Sequence, residues 1–331
     1  MGSIGTTLLL IFIVILTVAL FVVLNMLTAK GRALRKLKKE GGRAKIKANH
    51  DAQDVGHFYN EQTHNFLKVY GEVIQAFRTT DVSKLLDYQI ESIGFEKGQK
   101  VLDAGCGVGG PARYFAKNAG VQVEAITISA EQVSKAKEMN EEAGLSDNVN
   151  VTHGDYHQLQ KYYASDSFDV VYFLESFGHA ADHEEVIHSA WGMLKPGGTL
   201  YIKDLFLKEA AIPSMEKDIA AEAENINKAY RYNIVDLYEI LRIIRKKGYI
   251  LSSVKTIDLP LEDFENLTIS NDFQELTGIN KIENLQEYVF PVDFFELKAI
   301  KPWNALEYGN SRYFLQNLYY MQVHNRKQEE L

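Results

Sequence analysis

The stretch Val101-Leu102-Asp103-Ala104-Gly105-Cys106-Gly107-Val108-Gly109-Gly110 sets a glycine-rich turn directly between an apolar run and a helix-forming segment. Without a Cβ, the backbone of such a turn can approach a ligand closely, so the chain is committed to a strand–turn–helix unit built around a binding crevice. The following sequence repeats the unit. A first strand at 101–105 and a helix at 110–119 lead to a second strand at 121–128 and a helix at 131–143. Strands follow at 149–155, 168–176 and 199–206, the last entered through the turn Lys195-Pro196-Gly197-Gly198. Alternation of this kind predicts an α/β fold with a parallel sheet.

The flanks carry different signals. Residues 8–27 read LLLIFIVILTVALFVVLNML, twenty residues interrupted only by Thr17 and Asn25. At about 1.5 Å per residue this length spans a bilayer core, and no cleavage pattern of a signal peptide accompanies it. Residues 1–29 hold no charged side chain, whereas 30–47 hold nine Lys/Arg against one Glu. A basic flank on the C-terminal side alone predicts a single-pass anchor with everything after it on the cytoplasmic face, at the endoplasmic reticulum in a eukaryote or the inner membrane in a bacterium. From Ala48 onward, 27 basic side chains face 43 acidic ones, a net charge of −16. Such an acidic body is a poor polyanion binder, so nucleic acid is not expected as a partner. With one cysteine in the chain, no intrachain disulfide can form.

The expected division is therefore an anchor at 1–29, a basic linker at 30–49, a helical cap at 50–94, a binding core at 95–208 and a C-terminal part at 209–331. In the cap, Phe66, Val69, Val73, Ile74 and Phe77 fall at helical spacing. The C-terminal part reads as helical to about residue 247, then a strand at 249–257, a helical insertion at 262–292, strand pattern at 294–300 and an aromatic-rich helix at 305–323.

Asp103 precedes the glycines, where a carboxylate would repel a pyrophosphate but suits an ammonium group or a ribose. No acid ends the second strand. Together VLDAGCGVGG, GDYHQL and MLKPGGTLYI resemble the class I S-adenosylmethionine-dependent methyltransferases, whose fold is a Rossmann-like doubly wound sheet. The resemblance covers about residues 95–205 and implies S-adenosylmethionine as cofactor. It puts Asp103, Gly105, Cys106 and Gly107 at the methionine end of the cofactor; the Cys106 side chain itself reads as a small filler behind the loop rather than a nucleophile. Where the family has an acid on the ribose this chain has Thr127 and Ile128, so Ser129 and Gln132 would take the ribose, with Ser129 also suited to cap the next helix. Gly154, Asp155 and Tyr156 would meet the adenine, with His157 beside them.

After the fourth strand comes Leu174-Glu175-Ser176-Phe177-Gly178-His179. In this topology the carboxyl ends of the strands face the crevice, which brings Glu175 and His179 to the path of the methyl group. This segment, and His57-Phe58-Tyr59-Asn60 as an aromatic lid, resemble the sterol, tocopherol and geranyl diphosphate C-methyltransferases, with some similarity to cyclopropane fatty acid synthases. The resemblance implies methylation of an alkene in a hydrophobic acceptor, with Glu175, His179 and Tyr59 catalytic and Glu175 also at the cofactor. Aromatic side chains abound in the last third, among them Tyr230, Tyr232, Phe294, Phe295 and Trp303, of which most should be core and two or three should line the acceptor pocket. His179 and His183 lack a third ligand, so no metal is expected. N- or O-methylation of a headgroup or amine, acyl-chain cyclopropanation, and a non-catalytic cofactor-binding protein stay open as alternatives, as does self-association.

Overall fold

The computed structural model describes residues 50–259 and 290–303. The expected anchor at 8–27, the basic linker, residues 262–289 of the insertion expected at 262–292 and the helix at 305–323 lie outside the described residues; the end of that insertion is not helical, since a strand begins at Val292. Among those described, no helix is long and apolar enough to cross a membrane.

A seven-stranded sheet organises the fold: β1 (Lys100–Ala104), β2 (Gln122–Thr127), β3 (Val149–His153), β4 (Phe168–Leu174), β5 (Leu194–Leu207), β6 (Ile250–Thr256) and β7 (Val292–Ile300), in spatial order β3-β2-β1-β4-β5-β7-β6. The first five strands are parallel, and β7 runs antiparallel to both β5 and β6. The Lys195–Gly198 turn is absorbed as a bulge, because the β4–β5 ladder slips between the pairs Phe168–Leu194 and Val170–Thr199.

Both faces of the sheet are covered, which is why its strands are apolar at nearly every position. Leu102, Ile126, Val171, Phe173 and Ile202 face α5 (His183–Met193) and α7 (Leu237–Lys247). Val101, Val123, Val151, Val170 and Tyr172 face α2 (Val82–Ile93), α3 (Gly110–Ala119) and α4 (Ala130–Glu142). The expected doubly wound architecture is thus present, with a mixed rather than wholly parallel sheet.

Two boundaries differ from expectation. The helical pattern across the cap breaks: α1 (Ala52–Tyr70), started by a reciprocal Asp51–Asp54 capping box, stops at Gly71 with φ +69°, and α2 restarts only after its Asp81 cap. Residues 71–81 between them form an irregular strap. Its backbone N–H groups at Ala76 and Phe77 donate to the Glu175 carboxylate, bonds that a helix would have directed to its own carbonyls. The stretch read as continuous helix to 247 likewise divides into α6 (Glu216–Tyr230) and α7, separated where Arg231 adopts φ +56° and Asp236 caps α7.

Candidate active site

A cavity open to solvent at its mouth lies at the carboxyl ends of β1, β2 and β4, beneath α1 and the strap. Of the residues expected at a cofactor or catalytic site, Tyr59, Asp103, Gly105, Cys106, Gly107, Thr127, Ile128, Gln132, Asp155, Tyr156, Glu175 and His179 line it, and so does His157.

Two expected residues do not. Ser129 is wholly buried and serves as the N-cap of α4, its Oγ accepting from Gln132 N at 3.2 Å and donating to Asn60 Oδ1 at 2.8 Å. Gly154 is a packing glycine, since a Cβ there would fall 2.6 Å from the Tyr162 ring. Among the aromatic residues of the last third, Tyr232 is buried against His179, Phe294 packs on Phe77 and Phe295 on Phe206, and Trp303 leans on Gly197. None of these lines the cavity, whose aromatic walls are Tyr59 and Tyr156.

The glycine loop does two jobs. Gly107 has φ +56°, and a Cβ there would meet only Ile74 Cδ1 at 3.8 Å, so this position is open toward the cavity. Gly105 has φ +89°, but a Cβ there would lie 2.5 Å from Ser176 Cβ. Its smallness is thus required by the approach of the β4 loop, which Ser176 Oγ fastens to Ala104 O at 2.6 Å.

Asp103 lies on β1 opposite Tyr172 of β4 and is 3% exposed. Its Oδ2 has no hydrogen-bond partner among the described residues, and burial raises its pKa to about 7, against which Tyr172 beside it works weakly. A buried carboxylate on a cavity wall, with only the Tyr172 hydroxyl beside it and its Oδ2 making no hydrogen bond among the described residues, fits the amino-acid end of S-adenosylmethionine, whose ammonium would donate to it. At the opposite end, Asp155 caps the turn Tyr156–Lys161 and holds His157 Nδ1 at 2.5 Å. Burial works against ionisation of Asp155, but its hydrogen bonds from the His157 ring and backbone N–H prevail and hold the carboxyl below its ordinary range. With Nδ1 donating to Asp155, His157 Nε2 accepts from Ala181 N at 3.1 Å and so pins the loop after β4.

Glu175 occupies the left-handed region at φ +55°, a strained conformation for a side-chain-bearing residue. Its surroundings fix it completely. Its N–H donates to Lys203 O at 2.7 Å and its carbonyl accepts from the Tyr232 hydroxyl at 2.8 Å. The carboxylate takes Ala76 N at 2.5 Å, Phe77 N at 3.1 Å and the Lys203 ammonium. Lys203 is fully buried, and burial lowers its pKa against the pull of Glu175. The carboxylate read from the sequence as a catalytic group thus fastens the strap to the sheet through three donors, two on Oε1 and one on Oε2. Beside it, Asp204 accepts from Gly178 N at 3.0 Å and meets the Tyr232 hydroxyl at 3.0 Å, and burial raises its pKa to about 7.

His179 and Tyr59 are brought together from 120 residues apart, Tyr59 Oη lying 3.0 Å from His179 Nε2. His179 Nδ1 lies 2.9 Å from the carbonyl of Arg231, which can only accept, so the ring proton sits on Nδ1 and Nε2 accepts from the Tyr59 hydroxyl. Burial depresses the His179 pKa to about 4, keeping the ring neutral, and pushes the Tyr59 phenol well above its ordinary value. Cys106 is buried with its thiol pKa raised by burial, the reverse of an activated nucleophile. The sequence reading does not single out Lys203, Asp204 or Gln75. For Lys203 and Asp204 a signal existed, since two charged residues interrupt the otherwise apolar strand YIKDLF.

The model of a methyltransferase domain matches residues 102–202. Sterol 24-C-methyltransferase ERG6B of Gibberella zeae is 32% identical over 185 residues, 56% of this chain and 46% of that protein. The chain spans less than half the length of the curated relatives it first matches. In fold it is similar to the [4+2]-cyclase SpnF (TM-score 0.64, 21% identity, covering 78% of this chain and 99% of that one). It is also similar to geranyl diphosphate C-methyltransferase of Streptomyces coelicolor, determined with S-adenosyl-L-homocysteine (TM-score 0.58, 15% identity, 78% and 99%). Residues 102–202 thus form a class I methyltransferase domain, for which S-adenosylmethionine is the cofactor. Within that class the chain is related to the sterol C-methyltransferases.

Proposed function

We propose that this chain is a membrane-anchored, S-adenosylmethionine-dependent C-methyltransferase acting on an alkene of an isoprenoid or sterol-like lipid. The observation that carries the reading is the neutral Tyr59–His179 pair inside a cavity that also holds Asp103, whose Oδ2 makes no hydrogen bond among the described residues. When bound, the cofactor supplies an electrophilic methyl group, which an electron-rich double bond can take up, leaving a carbocation that must lose a proton.

The chain's own residues suit that last step. A proton next to a carbocation is strongly acidic, so a base whose pKa is only about 4 suffices to remove it. Because His179 stays uncharged at neutral pH, it does not repel a cationic donor or product. The proton passes to the Tyr59 oxygen as the phenolic proton moves to His179 Nε2, and the Arg231 carbonyl at Nδ1 supports the imidazolium so formed. Tyr59 and Tyr156 present aromatic walls, which can stabilise a nearby cation by about 1–2 kcal/mol each when water is excluded. Glu175 contributes by holding the strap closed over the cavity. Asp103 and Gly107 would hold the methionine end, Thr127, Ile128 and Gln132 the ribose, and Asp155 with Tyr156 the adenine.

The apolar run at 8–27 and its basic flank support anchoring, which would present a bilayer-dissolved acceptor at high effective concentration. The test is to incubate the detergent-solubilised full chain with radiolabelled S-adenosylmethionine and a total lipid extract, then fractionate the lipids. Label in the neutral isoprenoid and sterol fraction is expected. Label confined to amine headgroups or to saturated acyl chains would reject the reading in favour of N-methylation or cyclopropanation.

A further inference from the structure

Gln75 lies on the strap, lines the cavity and is 2% exposed. The orientation of its side-chain amide is forced. Oε1 lies 2.6 Å from the Lys203 ammonium, which can only donate, and also accepts from Gln89 Nε2 at 2.7 Å. Nε2 is therefore the opposite corner, and it has no hydrogen-bond partner among the described residues. A buried amide nitrogen with both N–H bonds unused is costly, and native structures leave such groups when a ligand or water completes them.

The same cavity wall holds a second buried polar atom without a partner, of opposite sense: the Asp103 Oδ2 acceptor. A free donor pair and a free carboxylate oxygen on two residues that line one cavity are complementary to a zwitterion, an α-amino acid group with its carboxylate on the donors and its ammonium on the acceptor. Lys203 cannot take the carboxylate, because its ammonium is engaged by Glu175, Gln75 Oε1 and Phe77 O. Its charge, though, lies one residue behind the amide and favours an anion on the far side.

We propose that Gln75 is a cofactor-binding residue that donates to the α-carboxylate of S-adenosylmethionine while Asp103 accepts from the α-ammonium, so that the strap recognises the amino-acid end of the cofactor. This rests on the cofactor assignment and adds the group that reads the carboxylate. Since Glu175 fastens the strap through Ala76 and Phe77, next in sequence to Gln75, the clamp and the carboxylate ligand form one device that couples strap closure to an intact cofactor.

The test uses calorimetry on the detergent-solubilised full chain with two probes, S-adenosylhomocysteine and 5′-methylthioadenosine, which share adenosine and a thioether but differ in the amino-acid end. Gln75→Glu keeps the shape and the oxygen that Lys203 and Gln89 need while removing the N–H donors, and Gln75→Met removes both. Affinity for S-adenosylhomocysteine should fall by about 10- to 100-fold in each variant, with affinity for 5′-methylthioadenosine held within twofold. Should Gln75→Met fail to fold, Gln75→Glu alone decides. Unchanged S-adenosylhomocysteine affinity, an equal loss for both probes, or a rise confined to the acceptor KM would overturn the assignment of Gln75. A wild-type chain that binds neither probe would overturn the cofactor assignment, and this one with it.

Discussion

Replacing Glu175 by Gln separates a clamp from a catalytic base. The carboxylate receives three donors, Ala76 N–H, Phe77 N–H and the Lys203 ammonium, with Phe77 and Lys203 sharing Oε1. A glutamine can keep its oxygen toward Phe77 and Lys203, but its NH2 then opposes the Ala76 N–H, donor against donor; the flipped amide opposes the other two. In either orientation Lys203, fully buried, loses its counterion. Breaking one side of a buried ion pair costs about 3–5 kcal/mol. For a domain of this size that corresponds to a melting temperature lower by about 6–20 °C. Because the strap is what the carboxylate holds, S-adenosylhomocysteine affinity should fall with stability. Adding Lys203→Met to Glu175→Gln should recover part of the loss, since the stranded charge is then gone. Thermal melts, calorimetry and single-turnover rates on the three variants decide the matter. An unchanged melt with unchanged cofactor affinity and a turnover loss of about 10²- to 10⁴-fold would refute the clamp and restore Glu175 as a proton acceptor.

Three further outcomes follow from the same geometry. Tyr59→Phe removes the proton donor to His179 Nε2 while keeping the ring, so turnover should fall by about 10²- to 10⁴-fold with S-adenosylhomocysteine affinity within threefold; calorimetry beside steady-state kinetics checks this. Burial raises the Asp103 pKa to about 7, so the folded protein retains a proton that the unfolded chain releases near pH 4, and stability from this group is lost as pH rises from about 4 to 7. Asp103→Asn should therefore raise the melting temperature at pH 8 and leave it unchanged near pH 4, while abolishing the rise in S-adenosylhomocysteine affinity that wild type should show between pH 6 and 8. Ser129→Ala removes the α4 cap and the tie to Asn60, so it should cost about 1 kcal/mol in a denaturant melt with little change in cofactor affinity.

The parallel core was legible because its information is local: the glycine turn, the apolar runs and the Pro-Gly turn each lie within about ten residues. The cavity members on β1, β2 and β4 were legible for the same reason, since strand ends in this topology converge on one crevice. The role of Glu175 was not legible, because it is decided by Ala76 and Phe77, 99 and 98 residues earlier, and by Lys203, 28 residues later. Once those backbone N–H groups go to a distant carboxylate, the helical periodicity of Val73, Ile74 and Phe77 no longer dictates a helix. Apolar spacing reports which side chains seek the core, and it is silent about where the main-chain donors go. Gln75 gave no signal either: a single glutamine in a segment read as helical has no pattern, and its function depends on which corner of its amide Lys203 occupies.

The claim that most needs a direct answer is that this site makes a carbon–carbon bond. Supplying S-adenosylmethionine enriched with carbon-13 in its methyl group, purifying the labelled lipid and recording its carbon NMR spectrum identifies the atom that received the methyl. A single enriched signal in the aliphatic C-methyl region, correlated through its protons to a neighbouring carbon of the isoprenoid or sterol skeleton, is the predicted result, and Tyr59→Phe should abolish it. An enriched signal in the N-methyl or O-methyl region, with the isoprenoid and sterol fractions unlabelled, would contradict it.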